Sequence, residues 1–158
     1  RWEGPNLIGR PFKFEVVHVL ELLDELRARG VLKMKDKLKT PVTLHDPCQI
    51  VRRGGVLNAP EPLIQQVAEN YIPIVDKQKW NWCCGGGGGA SAIHTEEGEA
   101  LRAKAFKIKK RQIEEAGVGT MVTFCANCRI VIEEGFDHYE MDTKLLGLTE
   151  LLAEHLED

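Results

Sequence analysis

A chain of 158 residues with a net charge of −3 and 43% hydrophobic residues has the length of one ordinary domain, able to bury roughly two-thirds of its unfolded surface. The charge balance gives no support to nucleic acid or an anionic membrane surface as the main partner. No apolar run reaches the ~18 residues that would suggest a membrane-spanning helix. The 5 cysteines are an odd number and include an adjacent pair, which fits a reducing compartment better than a secreted disulfide scaffold. The expected location is the cytoplasm, or the cytoplasmic face of a larger complex. The chain opens on Arg1 and Trp2-Glu3-Gly4-Pro5, which reads as a cut into a longer protein.

In chain order, Val16, Val17, Val19, Leu20, Leu23 and Leu26 recur at helical spacing. They predict a helix over Phe14 to Arg29, stopped by Gly30. Lys33 to Lys39 reads as a solvated basic connector. Val42 and Leu44 predict a short strand ended by Pro47, which places Cys48 just past a strand end. Asn58, Pro60 and Pro62 mark a helix start, with Leu63, Val67 and Tyr71 as its apolar face. Ile72 to Val75 reads as a second strand.

Trp80 and Trp82 precede the glycine run Gly85 to Gly89. Thr95 is the expected N-cap of a helix reaching Ala116, with Glu96 and Glu97 placed for its dipole and Gly117 as its stop. Its basic residues, Arg102, Lys104, Lys107, Lys109, Lys110 and Arg111, read as a solvated face balanced by Glu114 and Glu115. A docking patch for an acidic partner is the alternative. Val118 to Phe124 reads as a third strand ending at Cys125. Cys128 then falls in the first turn of a helix to about Gly135, and a last helix covers Leu146 to Leu156. Strands alternating with helices predict an α/β domain: a mostly parallel sheet flanked by helices, with the cysteine site at the strand C-terminal ends.

All five cysteines fall in one pattern: Cys48, the pair Cys83-Cys84, and Cys125-Ala126-Asn127-Cys128. Thiolates gathered this way hold soft metals or iron–sulfur clusters. A CxxC at a strand-to-helix turn can aim both sulfurs into one site, where the helix N-terminus stabilises thiolates. A vicinal pair presents diverging sulfurs that can reach different metal atoms. Five thiolates exceed both tetrahedral zinc and the usual four of a cubane cluster, so either the cluster has an unusual shape or one cysteine is kept for chemistry. Gly85 and Gly86 suit close approach of the backbone to a bulky group, and their N–H groups can donate to sulfur. Gly85-x-Gly87-x-x-Ala90 formally matches a dinucleotide fingerprint, but five consecutive glycines match many patterns. A thioredoxin-like role for Cys125 and Cys128 leaves three cysteines unexplained. Structural zinc is the serious alternative.

His45-Asp46-Pro47-Cys48, Cys83-Cys84-Gly85-Gly86-Gly87 and Cys125-Ala126-Asn127-Cys128 together resemble the cysteine-rich CCG domain (CxnCCGxnCxxC) of the heterodisulfide reductase catalytic subunit family. Related modules occur in iron–sulfur subunits of hydroxy-acid and glycerol-3-phosphate oxidising enzymes. The single motif copy and the glycine run most resemble the C-terminal part of the heterodisulfide-reductase-like iron–sulfur subunit of the membrane redox complex linked to dissimilatory sulfite reductase. Those subunits carry ferredoxin-type cubane motifs upstream, which again suggests a C-terminal piece here. Residues 1–40 are then expected to end a preceding half-domain, with 41–158 forming the CCG domain. The Leu/Glu-rich segments Glu21 to Glu25 and Glu150 to Glu154 would echo each other as paired half-domains do.

The resemblance implies a non-cubane [4Fe-4S] cluster on Cys48, Cys83, Cys84, Cys125 and Cys128, with zinc as the alternative metal. It implies an oxidoreductase that cleaves a disulfide or trisulfide in two one-electron steps. The implied partners are a ferredoxin-type cubane donor, a membrane cytochrome b subunit, and a thiol or disulfide substrate. His45 is a candidate proton donor because an unperturbed imidazole titrates near neutrality; alternatively it only fixes the turn. Arg52 and Arg53 could meet an anionic substrate, and His18, His94, His138 and His155 read as surface or packing residues. The competing functions are an electron-transfer module of a flavin-dependent hydroxy-acid oxidase and a zinc-stapled interaction domain.

Overall fold

The computed structural model describes residue 6 and residues 8–157; the opening Trp2-Glu3-Gly4-Pro5 lies outside the described residues. Helix α1 spans Val19–Ala28, shorter at its start than the periodicity predicts. The reason is local. The His18 ring accepts the Leu20 N–H at 3.2 Å, and the Glu21 carboxylate accepts the His18 N–H at 3.1 Å. This reciprocal cap fixes the start of the helix, and Phe14 to Val17 stay outside it.

Strand β1 is Thr43–Leu44, followed by a π-helical turn over Gln49–Arg53 and helix α2 over Pro60–Val67. Two 3-10 turns, Gln78–Trp80 and Gly87–Ala92, lead to the long helix α3, Glu96–Ala116. Thr95 caps α3 by accepting the Gly98 N–H at 3.2 Å. Gly117 ends it in the left-handed region at φ 64, where a side chain would be strained. Strand β2 (Thr120–Thr123), helix α4 (Ala126–His138), strand β3 (Lys144–Gly147) and helix α5 (Leu148–Glu154) complete the order.

The three strands are parallel, in the order β1-β2-β3. Thr43 pairs with Met121 and Leu44 with Val122; on the other side Met121 pairs with Leu145 and Val122 with Leu146. Alternation along β2 divides the interior. Val122 joins Leu20, Leu44, Leu63, Ile64, Leu148 and Leu151 in one apolar cluster, built from α1, α2 and α5. Met121 joins Phe106, Ile113, Val131, Ile132 and Phe136 in the other, built from α3 and α4. Helices therefore cover both faces of a parallel sheet, as the alternation of elements predicts.

Two further predicted elements differ. Ile72 to Val75 is not a strand: only Tyr71 bridges to Val42, and Ile72 and Val75 are exposed. Pro73 lacks the N–H that a ladder would need. The last helix begins two residues later than expected, because Leu145 and Leu146 are drawn into β3 by pairing with β2. The basic connector is a loop, but it is tied down by bridges from Met34 to Leu156 and from Leu38 to Ala68.

Candidate metal centre

The site forms where β1 and β2 end. The His45 N–H donates to the Val122 carbonyl at 2.8 Å, extending the β1 ladder by one residue before the chain turns through Asp46-Pro47. Cys48 then precedes the π-helical turn, and its carbonyl accepts the Arg52 and Arg53 N–H groups, each at 3.1 Å. Cys125 is the N-cap of α4, and Cys128 lies in that helix's first turn.

Cys83 and Cys84 arrive on an irregular segment held by polar bonds. Asp76 and Gln78 adopt positive φ, 61 and 56, which is costly for residues with a side chain. The Asp46 carboxylate restrains this bend by accepting the Gln78 N–H at 2.6 Å. Asn81, only 1% exposed, fastens three segments together. Its amide donates to the Asp46 carbonyl, its Oδ1 accepts from Lys109 Nζ at 2.9 Å, and its carbonyl accepts from the Arg52 guanidinium. Arg52 also donates to the Lys79 carbonyl at 2.7 Å, so its head group is spent on loop carbonyls and not held out to a substrate.

Gly85 has φ 98, and its N–H points to Cys83 Sγ at 3.4 Å. Gly86 is required by packing: a Cβ there would lie 2.6 Å from Val131 Cγ2 on α4. Arg102 secures the end of the glycine turn, donating to the Ala90 and Ile93 carbonyls at 2.9 and 2.7 Å and to Glu134 at 2.8 Å. The predicted solvated face of α3 is therefore corrected at two positions, since Arg102 and Lys109 are buried. Arg102, Phe106, Lys109 and Ile113 are spaced four, three and four residues apart, the period of an inward face, and that spacing could have flagged both cations.

The structure brings four of the predicted thiols into two contacts. Cys48 Sγ and Cys83 Sγ are 3.9 Å apart. Cys84 and Cys128 share a cluster with His45 in which all ligand atoms lie within 4.8 Å of one another. The Cys83-Cys84 peptide joins the two contacts. Cys125 is half-buried and packs against the same apolar cluster as Cys84 and Cys128. All five thiols are free; Cys84 and Cys128 are buried, whereas Cys83 is exposed.

Crowding governs their acidity. Hydrogen bonding to Cys84 and then burial push the Cys83 thiol up to about 12. Hydrogen bonding with Cys128, together with burial, pushes Cys84 up to about 11. Burial and the neighbouring Cys83 raise Cys48. Without a cation these sulfurs keep their protons, and a bound metal ion reverses that preference. Both His45 ring nitrogens are buried without a hydrogen-bond partner, and among the described residues Thr43 Oγ1 is the one other buried side-chain atom so placed. Burial, and next the charge of Lys109, hold the His45 ring well below its ordinary pKa, in the neutral form that can ligate a metal. The donor set is soft, convergent and partly unsatisfied, and so it fits a metal or iron–sulfur centre.

Residues 42–133, more than half of the chain, match the CCG family, described as a cysteine-rich domain. The chain belongs to this family. It is 31% identical over 155 residues to a subunit of the dihydromethanophenazine:CoB–CoM heterodisulfide reductase of Methanosarcina mazei, a match covering 98% of this chain and 37% of that protein. It is 29% identical over 163 residues to the EtfAB:quinone oxidoreductase of Syntrophomonas wolfei, covering 98% of this chain and 22% of the relative. An iron–sulfur protein of Methanocaldococcus jannaschii is 29% identical over 134 residues, covering 84% and 25% respectively. The chain thus spans little more than a third of the heterodisulfide reductase polypeptide it matches. The similar proteins are oxidoreductases and iron–sulfur proteins, and the cysteine–histidine cluster is the feature of this CCG domain that suits such chemistry. Among the described residues no helix is long and apolar enough to cross a membrane.

Proposed function

We propose that Cys48, Cys83, Cys84, Cys125 and Cys128 hold a non-cubane [4Fe-4S] cluster, and that the domain takes part in heterodisulfide-type reduction within a larger electron-transfer complex. The observation that carries this reading is the convergence of buried Cys84 and Cys128 with the exposed Cys83 and its neighbour Cys48. Such a cluster, when bound, supplies single electrons to a sulfur–sulfur bond, and two electrons with two protons release two thiols. The protein's own contribution is positional. Cys84 and Cys128 anchor the centre in the core, while Cys83 and Cys48 leave its outer side open. The Gly85 N–H points at the Cys83 sulfur, which supports a donor role for it once that sulfur is a metal-bound thiolate.

His45 retains a proposed role. Its full burial weighs against an acid that exchanges protons with water and favours a ring that donates to, or ligates, the centre. A His45→Ala protein that kept both its metal centre and full turnover would remove the proton-donor role. A cubane donor and a cytochrome b subunit are the proposed partners, and the cytoplasmic face of a membrane the proposed location.

Similarity to the EtfAB:quinone oxidoreductase favours a second reading, an electron-transfer module with no sulfur substrate of its own. Iron, sulfide and zinc content with an absorbance spectrum, on protein purified without oxygen, tests the cluster. About four irons with matching sulfide are expected. Zinc without sulfide would leave a structural staple instead. Addition of a thiol separates the first two readings: a changed EPR signal supports sulfur chemistry, and an unchanged one supports the electron-transfer module.

A further inference from the structure

Lys109 is a cation sealed in the interior, 1% exposed. Its Nζ donates to Asn81 Oδ1 at 2.9 Å and to Gln112 Oε1 at 2.8 Å, and the Gln112 amide is itself turned to the Val75 carbonyl at 2.9 Å. Both acceptors are neutral. Among the described residues Lys109 makes no ion pair. An ammonium group buried against neutral amides alone is strongly unfavourable, so the site needs negative charge nearby. The acidic groups whose field it feels are Asp46 and the thiols of Cys84, Cys128 and Cys83. Asp46, the largest of these influences, accepts the Gln78 N–H, a bond that leaves a carboxylate's charge in place whether or not a metal is bound. The thiols are the charge that changes when the centre is assembled, since a bound metal takes them as thiolates.

We propose that Lys109 is the fixed counter-charge of the cysteine centre, a positioning residue that stabilises the anionic metal-bound thiolates and favours the centre's reduced state without ligating it. This rests on the reading that the cysteines hold a metal. Two observations support it. Asn81, two residues before Cys83, accepts from Lys109 through its Oδ1 and donates to the Asp46 carbonyl through its amide, which fixes the charge beside the segment that carries Cys83 and Cys84. Lys109 also shares its helix face with Phe106 and Ile113, a place where an uncharged residue would pack more cheaply. Outer groups of this kind tune bound metals through charge and hydrogen bonding.

The test uses Lys109→Met, which removes the charge at similar length, and Lys109→Gln, which removes it but keeps an N–H donor for the neighbouring amides. The first readout is the midpoint potential of the centre in protein purified without oxygen. The ratio of reduced to oxidised centre at a fixed potential should fall at least tenfold in both variants, a shift of about 59 mV for a one-electron couple. The second readout is cobalt(II) titration of the metal-free protein, followed by the sulfur-to-metal absorption band. Affinity should fall at least tenfold, because a thiolate-bound divalent ion is also an anionic site. Variants within twofold of the parent in both readouts, an upward shift of the potential, or loss of fold in both variants while the metal-free parent stays folded would each overturn the proposal. Cobalt reports on Lys109 even if the resident centre proves not to be iron–sulfur, so the two readings fail separately.

Discussion

Asn81 shows how much of this site depends on a residue with no metal chemistry of its own. Replacing it by alanine strands the buried Asp46 carbonyl and leaves buried Lys109 with Gln112 as its one remaining partner. Leaving buried polar groups unpaired costs about 1–3 kcal/mol each. Asn81→Ala should therefore lose about 2 kcal/mol or more in urea unfolding and should also take up less iron. Gly86→Ala is the steric counterpart. Its Cβ would meet Val131 at 2.6 Å, and overpacking of this kind costs about 1–3 kcal/mol, measurable as a lower denaturation midpoint.

Lys109 adds a pH signature in the metal-free protein. Burial, the largest influence, lowers it to about 8, against an ordinary 10.5. Between those values the unfolded chain holds more protons than the folded one, so stability rises with pH there. Cys83 and Cys84, raised to about 12 and about 11, act in the opposite sense above their ordinary value. The parent's stability minus that of Lys109→Met isolates the lysine. That difference should move in the parent's favour as pH climbs from 8 to 10.5, by on the order of 3 kcal/mol at most, and urea titrations at several pH values would show it. The cysteines were legible because their chemistry is carried by residue type and order. Lys109 and Arg102 were not, because a charge on a helix suggests solvent until its periodic neighbours, Phe106 and Ile113, are considered.

At the scale of elements, caps were the most readable feature and strands the least. Thr95 and Gly117 bound α3 as expected, since each acts on its immediate neighbours alone. Thr95→Ala should cost about 1 kcal/mol and lower the melting temperature, loosening the start of the helix that carries Arg102. Strand β3 went unrecognised because Lys144–Gly147 is strand only by virtue of its pairing with β2. Its leucines suit the helix that follows equally well. Ile72 to Val75 erred the other way: apolar letters with Pro73 among them could not build a ladder. The π-helical turn after Cys48 had no visible signal, although turns of this type often mark functional sites.

For the molecule as a whole, the α/β plan was legible from the alternation of elements, but the assignment of helices to sheet faces was not. That follows from Met121 and Val122 pointing to opposite sides of β2. Both apolar clusters close without help from Cys48, Cys83 or a metal, so the metal-free protein should stay folded. Binding to the native state alone adds RT ln(1 + [L]/Kd), about 2.7 kcal/mol at a hundredfold excess over Kd. Chelation should therefore lower the melting temperature while leaving the helical circular dichroism signal nearly intact. Loss of that signal would mean that the sulfurs nucleate the fold.

The 3.9 Å approach of Cys48 and Cys83 has a consequence in air. These are among the accessible sulfurs, they already face each other, and a small movement joins them, while Cys84 and Cys128 are shielded by burial. The first oxidation product of emptied protein should be a Cys48–Cys83 cross-link, recognisable as a linked peptide pair by mass spectrometry. What survives together is Cys84, Cys128 and the ring of His45, two sulfurs and one nitrogen within 4.8 Å of one another, a set that suits zinc with one further ligand. Zinc recovered from aerobically handled material would then record the protein's exposure to oxygen, not the metal it carries in the cell.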